Sequence, residues 1–374
     1  LKSIAIFYAS EGTGHKTAAE NLRDEFLREN PEGSVLCRDV LEYIPSFLHH
    51  TVSDGYLQMA RRAPWLWGLF YWGSDKPGLE ASAFDRCHNL LCRLYLPRIA
   101  KDAEAAGAEA VFFTHYFGAP NFALWYGKKT PTFYVNTDFI CHRFQRGKMY
   151  DALFVASPKA VKQHEDEGIS CVYDMGIPIS PKFSHLPLKD EARKTLGLAS
   201  DRRIVLVSGG GIGAGAVTEA VRSLAGENGW QIIVICGNNR SLHRKMDEKY
   251  HGRSNVRIEG FVSNMECYYK AADVCVMKPG GLSLSEALSA QLPLVLMDPI
   301  PGQEQLNMDY VCAAGAALPL ADAVHAREVV ASLFGSAQQT AEMERTAARL
   351  ARPGAAAEIL KTAGEIAARR QKTA

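Results

Sequence analysis

The chain has 374 residues, 42 Lys and Arg against 41 Asp and Glu, and 47% hydrophobic residues. At roughly 150 residues per domain the length points to two domains, and a chain this long buries about 75% of its unfolded surface with no need of a disulfide or metal staple. A formal charge of +1 excludes a nucleic-acid binder that works by bulk charge, and 22% charged residues exclude a largely disordered chain.

In chain order, short apolar runs alternate with longer amphipathic segments, the pattern of an α/β protein with parallel sheets. The first unit reads as a strand over 4–8, a glycine-rich turn and a helix from about Lys16 to Arg28. Further strands are expected at 34–37, 110–113, 132–135 and 152–155. The uncharged stretch from Met175, with Pro178 and Pro181, reads as a linker. A second series follows, with strands at 204–208, 231–235, 256–258, 274–276 and 294–297, and the chain ends in an alanine-rich helix from about Gly354. The nine cysteines show no C-x-x-C pair, and Cys236 and Cys275 lie inside apolar runs, so free thiols in a reducing compartment are expected. Because the sequence opens on a strand-like run, no signal peptide is expected, and no apolar run reaches the length of a spanning helix.

Four motifs sit at strand-to-helix turns. Ser10-Glu-Gly12-Thr-Gly14-His15-Lys16 follows the first strand. Glycines there allow a tight turn and close approach to a ligand. His15 at the helix start suits a neutral imidazole that takes a proton from a hydroxyl; the plainer reading is a capping or surface histidine. The pattern is not a P-loop. Ser208-Gly209-Gly210-Gly211-Ile-Gly213-Ala-Gly215 can present backbone N–H groups to a diphosphate. The next strand ends in Cys236-Gly-Asn238-Asn rather than in an acidic residue, which disfavours NAD. Lys278-Pro-Gly280-Gly281-Leu282-Ser283-Leu-Ser-Glu286 pairs a phosphate-type loop with a carboxylate suited to a ribose diol, or is a capping turn with a solvated Glu. Asp298-Pro-Ile-Pro-Gly-Gln303-Glu304 sets amide and carboxylate groups at a loop-to-helix junction, suited to sugar hydroxyls or to an ordinary polar helix start.

These motifs, with Glu259-Gly-Phe261-Val262-x-x-Met265 and Asn307, occur in an order that resembles the monogalactosyldiacylglycerol synthase and processive diacylglycerol glucosyltransferase family, related to MurG-type transferases. The resemblance runs over nearly the whole chain. It implies a GT-B fold: two Rossmann-like domains facing a cleft, with 1–176 as the acceptor-binding and membrane-facing domain, 177–353 as the nucleotide-sugar domain, and 354–374 crossing back onto the first. Carried over residue by residue, His15 is the catalytic base; Phe261 and Val262 meet uracil through their backbone; Gly280, Gly281 and Leu282 line the phosphates; Glu286 holds the ribose; Gln303 and Glu304 hold the donor sugar. Gly14, Gly210, Gly211, Asn238, Lys278 and Ser283 complete the expected nucleotide-sugar set. The Thr137-Asp138-Phe-x-x-His142 stretch also looks like the family's, which makes Asp138 and His142 cleft residues of open role. His115 is either acceptor-binding or structural.

Residues 41–100 carry Trp65, Trp67, Phe70, Tyr71 and Trp72 among Arg61, Arg62, Lys76, Arg86, Arg93 and Arg98. Aromatics interleaved with cations suit a headgroup–acyl boundary, against the alternative of a buried aromatic core. The expected function is inverting transfer of a hexose from a UDP-sugar to a lipid hydroxyl, diacylglycerol by resemblance, at the cytoplasmic face of a membrane. No nucleic acid, metal or cofactor is expected, the UDP-sugar being the donor substrate. The rivals are a transferase with a soluble acceptor, a UDP-sugar epimerase or hydrolase on the same fold, and a UDP-sugar binding protein without catalysis. The choice among glucose, galactose and glucuronic acid is not written in these motifs.

Overall fold

A computed structural model describes residues 1–10, 13–44, 64–74, 83–211 and 216–373. The chain forms two compact units. The first comprises Leu1–Ile179, Ile300–Gln303 and Gly354–Ala374; the second comprises Ser180–Pro299 and Glu304–Pro353.

The first unit holds β1 (Ser3–Tyr8), β2 (Ser34–Asp39), β3 (Ala110–Phe113), β4 (Thr132–Val135), β5 (Ala152–Val155) and β6 (Val172–Asp174), all parallel, in the order β2-β1-β3-β4-β5-β6. Side chains alternate between its faces. Ala5, Phe7, Val111 and Phe113 pack with Tyr95, Leu96, Ile99 and Phe122 on one face. Ile4, Ile6, Phe112 and Phe133 pack with Leu22, Phe26, Ile359 and Ala363 on the other. Burial on both faces explains why these strands read as continuous apolar runs. Helix α1 (Thr13–Glu29) and the helix Ala355–Thr373 share that second face, the latter held by Arg370, whose Nη1 donates to Asp151 Oδ1 at 2.7 Å and whose Nη2 donates to the Gly127 carbonyl.

The second unit holds β7 (Arg203–Ser208), β8 (Trp230–Ile235), β9 (Val256–Glu259), β10 (Val274–Met277), β11 (Leu294–Met297) and β12 (Ala317–Leu320), in the order β12-β11-β10-β7-β8-β9. Numbered within the unit this is 3-2-1-4-5-6, the Rossmann order. A partly buried ionic knot pins its base: Asp273 accepts from Arg193 Nη2 at 2.9 Å, Lys189 Nζ at 2.6 Å and the Ile204 backbone N–H at 2.7 Å. The two half-dozens of strands give the chain the two-Rossmann, GT-B type of architecture.

Two strands were not expected from the sequence. β6 is a half-buried three-residue edge, too short for a period to register. β12 contains Pro319, a residue that argues against a central strand; it is tolerated because β12 lies at the sheet edge. Every described cysteine is a free thiol.

Ile359 is fully buried against the first sheet. Ile359→Ala should therefore cost about 2–5 kcal/mol, read as a lower midpoint in a urea titration.

Candidate active site

In an open parallel sheet the strand order reverses at one point, and the loops leaving the carboxyl ends of the flanking strands part there to form a crevice. In the first unit this point lies between β1 and β3. His15, in the first turn of α1, follows β1; Thr114 and His115 follow β3. His15 Nδ1 lies 2.7 Å from the Thr114 carbonyl and 3.0 Å from Thr137 Oγ1, in the loop after β4. Thr114 Oγ1 donates back to the His15 carbonyl at 2.9 Å. The His15 ring stands edge-on to that of His115, 4.5 Å between centroids. Burial pushes the His15 pKa down to about 4, against the opposing pull of the Thr114 carbonyl. The imidazole is therefore neutral at pH 7.

The other expected residues of this unit occupy distinct places. Gly14 precedes His15, and a side chain there would meet open space. His115 is buried, its Nδ1 accepting from the Phe117 N–H at 3.2 Å. Asp138 is half-buried, its N–H donating to Asn136 Oδ1 at 3.3 Å. His142 is buried and caps a short turn, its Nδ1 accepting from the Phe144 N–H at 3.3 Å while its Nε2 donates to the Tyr71 carbonyl at 3.2 Å. It thereby holds the helix Pro64–Ser74. Gly12 lies outside the described residues.

In the second unit the order reverses between β7 and β10. Gly210 and Gly211 follow β7, and Lys278 to Gly281 follow β10 and open the helix Gly281–Ser289. Gly237, at φ +56°, lets the loop after β8 lie against the first of these: a Cβ there would come within 2.7 Å of the Gly211 carbonyl. The Asn238 N–H donates to that same carbonyl at 3.1 Å. Gly213 and Gly215 lie outside the described residues. Gly237, Asn238, Arg240, His243, Gly260 and Phe261 line a cavity of about 300 Å³, with the Phe261 ring exposed and Val262 following it. Arg240 and His243 were not singled out in the sequence; their place at the start of the helix after Cys236-Gly-Asn was the available signal.

Lys278 and Glu304 form a largely buried ion pair at 3.2 Å. Asn307, fully buried, donates to the Pro279 carbonyl at 3.3 Å and ties the helix Gln303–Ala314 to the loop after β10. Within the helix Gly281–Ser289, Leu282 and Ser283 are half-buried, and Ser283 hydrogen-bonds to the buried Tyr269 hydroxyl. Burial, reinforced by Glu266, lifts the Glu286 pKa to about 8. A neutral carboxyl both donates and accepts, which suits a diol.

Gln303 and Glu304 open the helix Gln303–Ala314 together, straight after the loop that ends at Gly302. Gly302, at φ +99°, lies flat on the Tyr71 ring, where a Cβ would approach within 2.6 Å, and Pro301 faces Gly68.

The helix Pro64–Ser74 contains no charged residue. Trp65 and Leu69 are each 70% exposed and Trp72 44%. The Trp67 side chain, and residues 45–63 and 75–82 with Arg61, Arg62 and Lys76, lie outside what the structure describes. Among the described residues no helix is long and apolar enough to cross a membrane.

Comparison with known proteins agrees with this geometry. The family model described as monogalactosyldiacylglycerol (MGDG) synthase matches residues 15–179, and that described as glycosyl transferases group 1 matches 189–349. A processive diacylglycerol beta-glucosyltransferase of Bacillus pumilus is 28% identical over 85% of this chain and 82% of its own. Monogalactosyldiacylglycerol synthase 2, chloroplastic, of Arabidopsis thaliana is 28% identical over 99% of this chain and 82% of its own. Among solved structures, Acinetobacter baumannii MurG superposes with a TM-score of 0.61 at 14% identity, covering 98% of this chain and all of that one. A UDP-GlcNAc 2-epimerase of Neisseria meningitidis also gives 0.61, at 12% identity, over 97% of this chain and 99% of that one; at such identities the likeness concerns the fold. The chain is thus a glycosyltransferase of the GT-B class. Within that class it is related to the monogalactosyldiacylglycerol synthases and processive diacylglycerol glucosyltransferases.

The raised Glu286 pKa has a sign that can be checked. Between its ordinary value near 4.5 and about 8 the folded chain holds a proton that the unfolded chain has released, so stability falls as pH rises through that window. His15 works oppositely, but at lower pH, between about 4 and its ordinary 6.5. From pH 7 to 8.5 the thermal midpoint should fall, and Glu286→Gln should flatten that slope.

Proposed function

We propose that this enzyme transfers a hexosyl group from a UDP-sugar to the free hydroxyl of diacylglycerol, with inversion at the anomeric carbon. The second unit holds the donor. Backbone N–H groups of the loops after β7 and β10, the N-terminus of the helix Gly281–Ser289 and the Lys278 ammonium take up the charge that grows on the departing diphosphate. Glu286 binds the ribose hydroxyls, and the cavity at Phe261 receives the uracil. In the first unit His15 Nε2 accepts the hydroxyl proton as the oxygen bonds to the anomeric carbon and the carbon–oxygen bond to UDP breaks. The observation that carries this reading is a neutral, half-buried imidazole at the strand-order reversal, with Nδ1 already committed and Nε2 without a hydrogen-bond partner among the described residues.

The exposed Trp65, Leu69 and Trp72 on an uncharged helix support peripheral docking on a membrane, which we assign to its cytoplasmic face. The acceptor is then drawn from the lipid surface.

The deciding experiment incubates the protein with a panel of UDP-sugars and diacylglycerol-containing vesicles, followed by mass spectrometry of the lipids. A new hexosyl lipid is expected. Calorimetry that finds no heat with UDP or any UDP-sugar overturns the reading; consumption of UDP-sugar with no lipid product overturns the acceptor. His15→Ala should lower kcat by roughly 10²–10⁴ while leaving UDP affinity within about twofold. The acid limb of kcat/KM in the wild type should fall toward about pH 4, since the base is lost only when His15 protonates. Trp65→Ser combined with Leu69→Ser should reduce sedimentation with vesicles and spare UDP binding.

A further inference from the structure

Among the described residues, no carboxylate meets the imidazole of His15 at Nδ1. What it has instead is a backbone carbonyl at 2.7 Å and the Thr137 hydroxyl at 3.0 Å. A carbonyl oxygen only accepts, so at 2.7 Å Nδ1 must carry the proton and donate. That leaves Thr137 Oγ1, on the same nitrogen, as a second acceptor. With Nδ1 protonated in the neutral ring, the lone pair is on Nε2, the nitrogen with no hydrogen-bond partner among the described residues.

Thr137 is held where it does this. It is buried at 5% exposure, two residues past the end of β4, next to the fully buried Asn136, whose N–H donates to the Phe154 carbonyl at 2.8 Å and whose Nδ2 reaches Cys141 Sγ. Thr114 is fixed likewise: its N–H donates to the Phe7 carbonyl at 3.1 Å and its hydroxyl donates to the His15 carbonyl. The Thr114 carbonyl therefore sits on backbone pinned by the sheet, and the Thr137 hydroxyl is carried by a buried residue directly after another such anchored position.

We propose that Thr137 is a positioning residue for the reaction, acting with the Thr114 carbonyl to lock His15 in the Nδ1–H form and to accept the strengthened hydrogen bond when Nε2 takes the acceptor proton. The inference rests on the reading of His15 as the base. As the ring becomes an imidazolium, both Nδ1 contacts become charge-assisted, which is where such contacts gain most. An uncharged pair of acceptors fits a ring that burial keeps neutral in the resting enzyme: a carboxylate in their place would favour the charged form and fill the base before substrate arrives.

Three measurements on the full chain test it. In ¹⁵N-histidine-labelled wild-type protein at pH 7, the His15 resonances should show a protonated Nδ1 and a bare Nε2; the reverse tautomer overturns the proposal without recourse to any variant. Thr137→Val, near-isosteric, should lower kcat roughly 10- to 100-fold, the effect of one hydrogen bond to a charged group, with KM for the UDP-sugar within about twofold. Thr137→Ser, which keeps the hydroxyl, should restore kcat to within about threefold of wild type. A Val variant within threefold of wild type, or a Ser variant as impaired as Val, overturns the role. If His15→Ala itself retains turnover, the base assignment has failed, and with it this inference; if His15→Ala is inactive but Thr137→Val is not, only the inference has failed.

Discussion

All twelve strands described here run parallel within their sheets, and that single constraint places the chemistry. Parallel strands deliver every following loop to the same edge, and the reversal of strand order decides which two loops part to leave room for a ligand. In the first unit the reversal brings His15 and Thr114 together although they are 99 residues apart in sequence. In the second it sets the glycines after β7 beside the Lys278–Gly281 loop after β10. Neither loop cluster needs a dedicated scaffold, because the carboxyl edge of each sheet already provides one.

Desolvation then acts in opposite senses on the two titratable groups that matter. It lowers His15 to about 4 and raises Glu286 to about 8, so both are uncharged near neutrality. Lys278 and Glu304 set opposite charges 3.2 Å apart, each largely buried. Under the function proposed above, an incoming dianion would meet this compensated pair, and its binding would separate a salt bridge rather than strip an isolated cation of water. The first unit presents a neutral imidazole, the group proposed above as the base.

Much of this was legible in the sequence because buried parallel strands leave strong local marks. Runs such as Ile204-Val-Leu-Val and Ala110-Val-Phe-Phe lack the alternation of a half-exposed sheet, and glycine-rich turns follow β1, β7 and β10. The edge strands β6 and β12 escaped because edges tolerate short, mixed and proline-containing segments. What no local pattern could disclose was pairing across the chain. Thr137 meets His15 from 122 residues away. His142, legible only as part of a motif, turns out to spend both ring nitrogens on a turn and on the Tyr71 carbonyl. Gly302 lies on the Tyr71 ring, a contact that neither stretch announces.

The first unit is assembled from three separate stretches, the last of them the helix Ala355–Thr373. Ile4, Ile6, Phe112 and Phe133 are sheltered on one face by Leu22 and Phe26 of α1 together with Ile359 and Ala363, so that face stays only partly covered while the ribosome is still making everything between. The second unit, drawn from residues 180 to 353, is complete first. The order of maturation thus runs against the order of translation, and a nascent chain stalled before residue 355 would carry a sheet with one face only partly covered: a natural handle for a chaperone, and the reason a truncated amino-terminal fragment would be expected to precipitate rather than to behave as a free-standing domain.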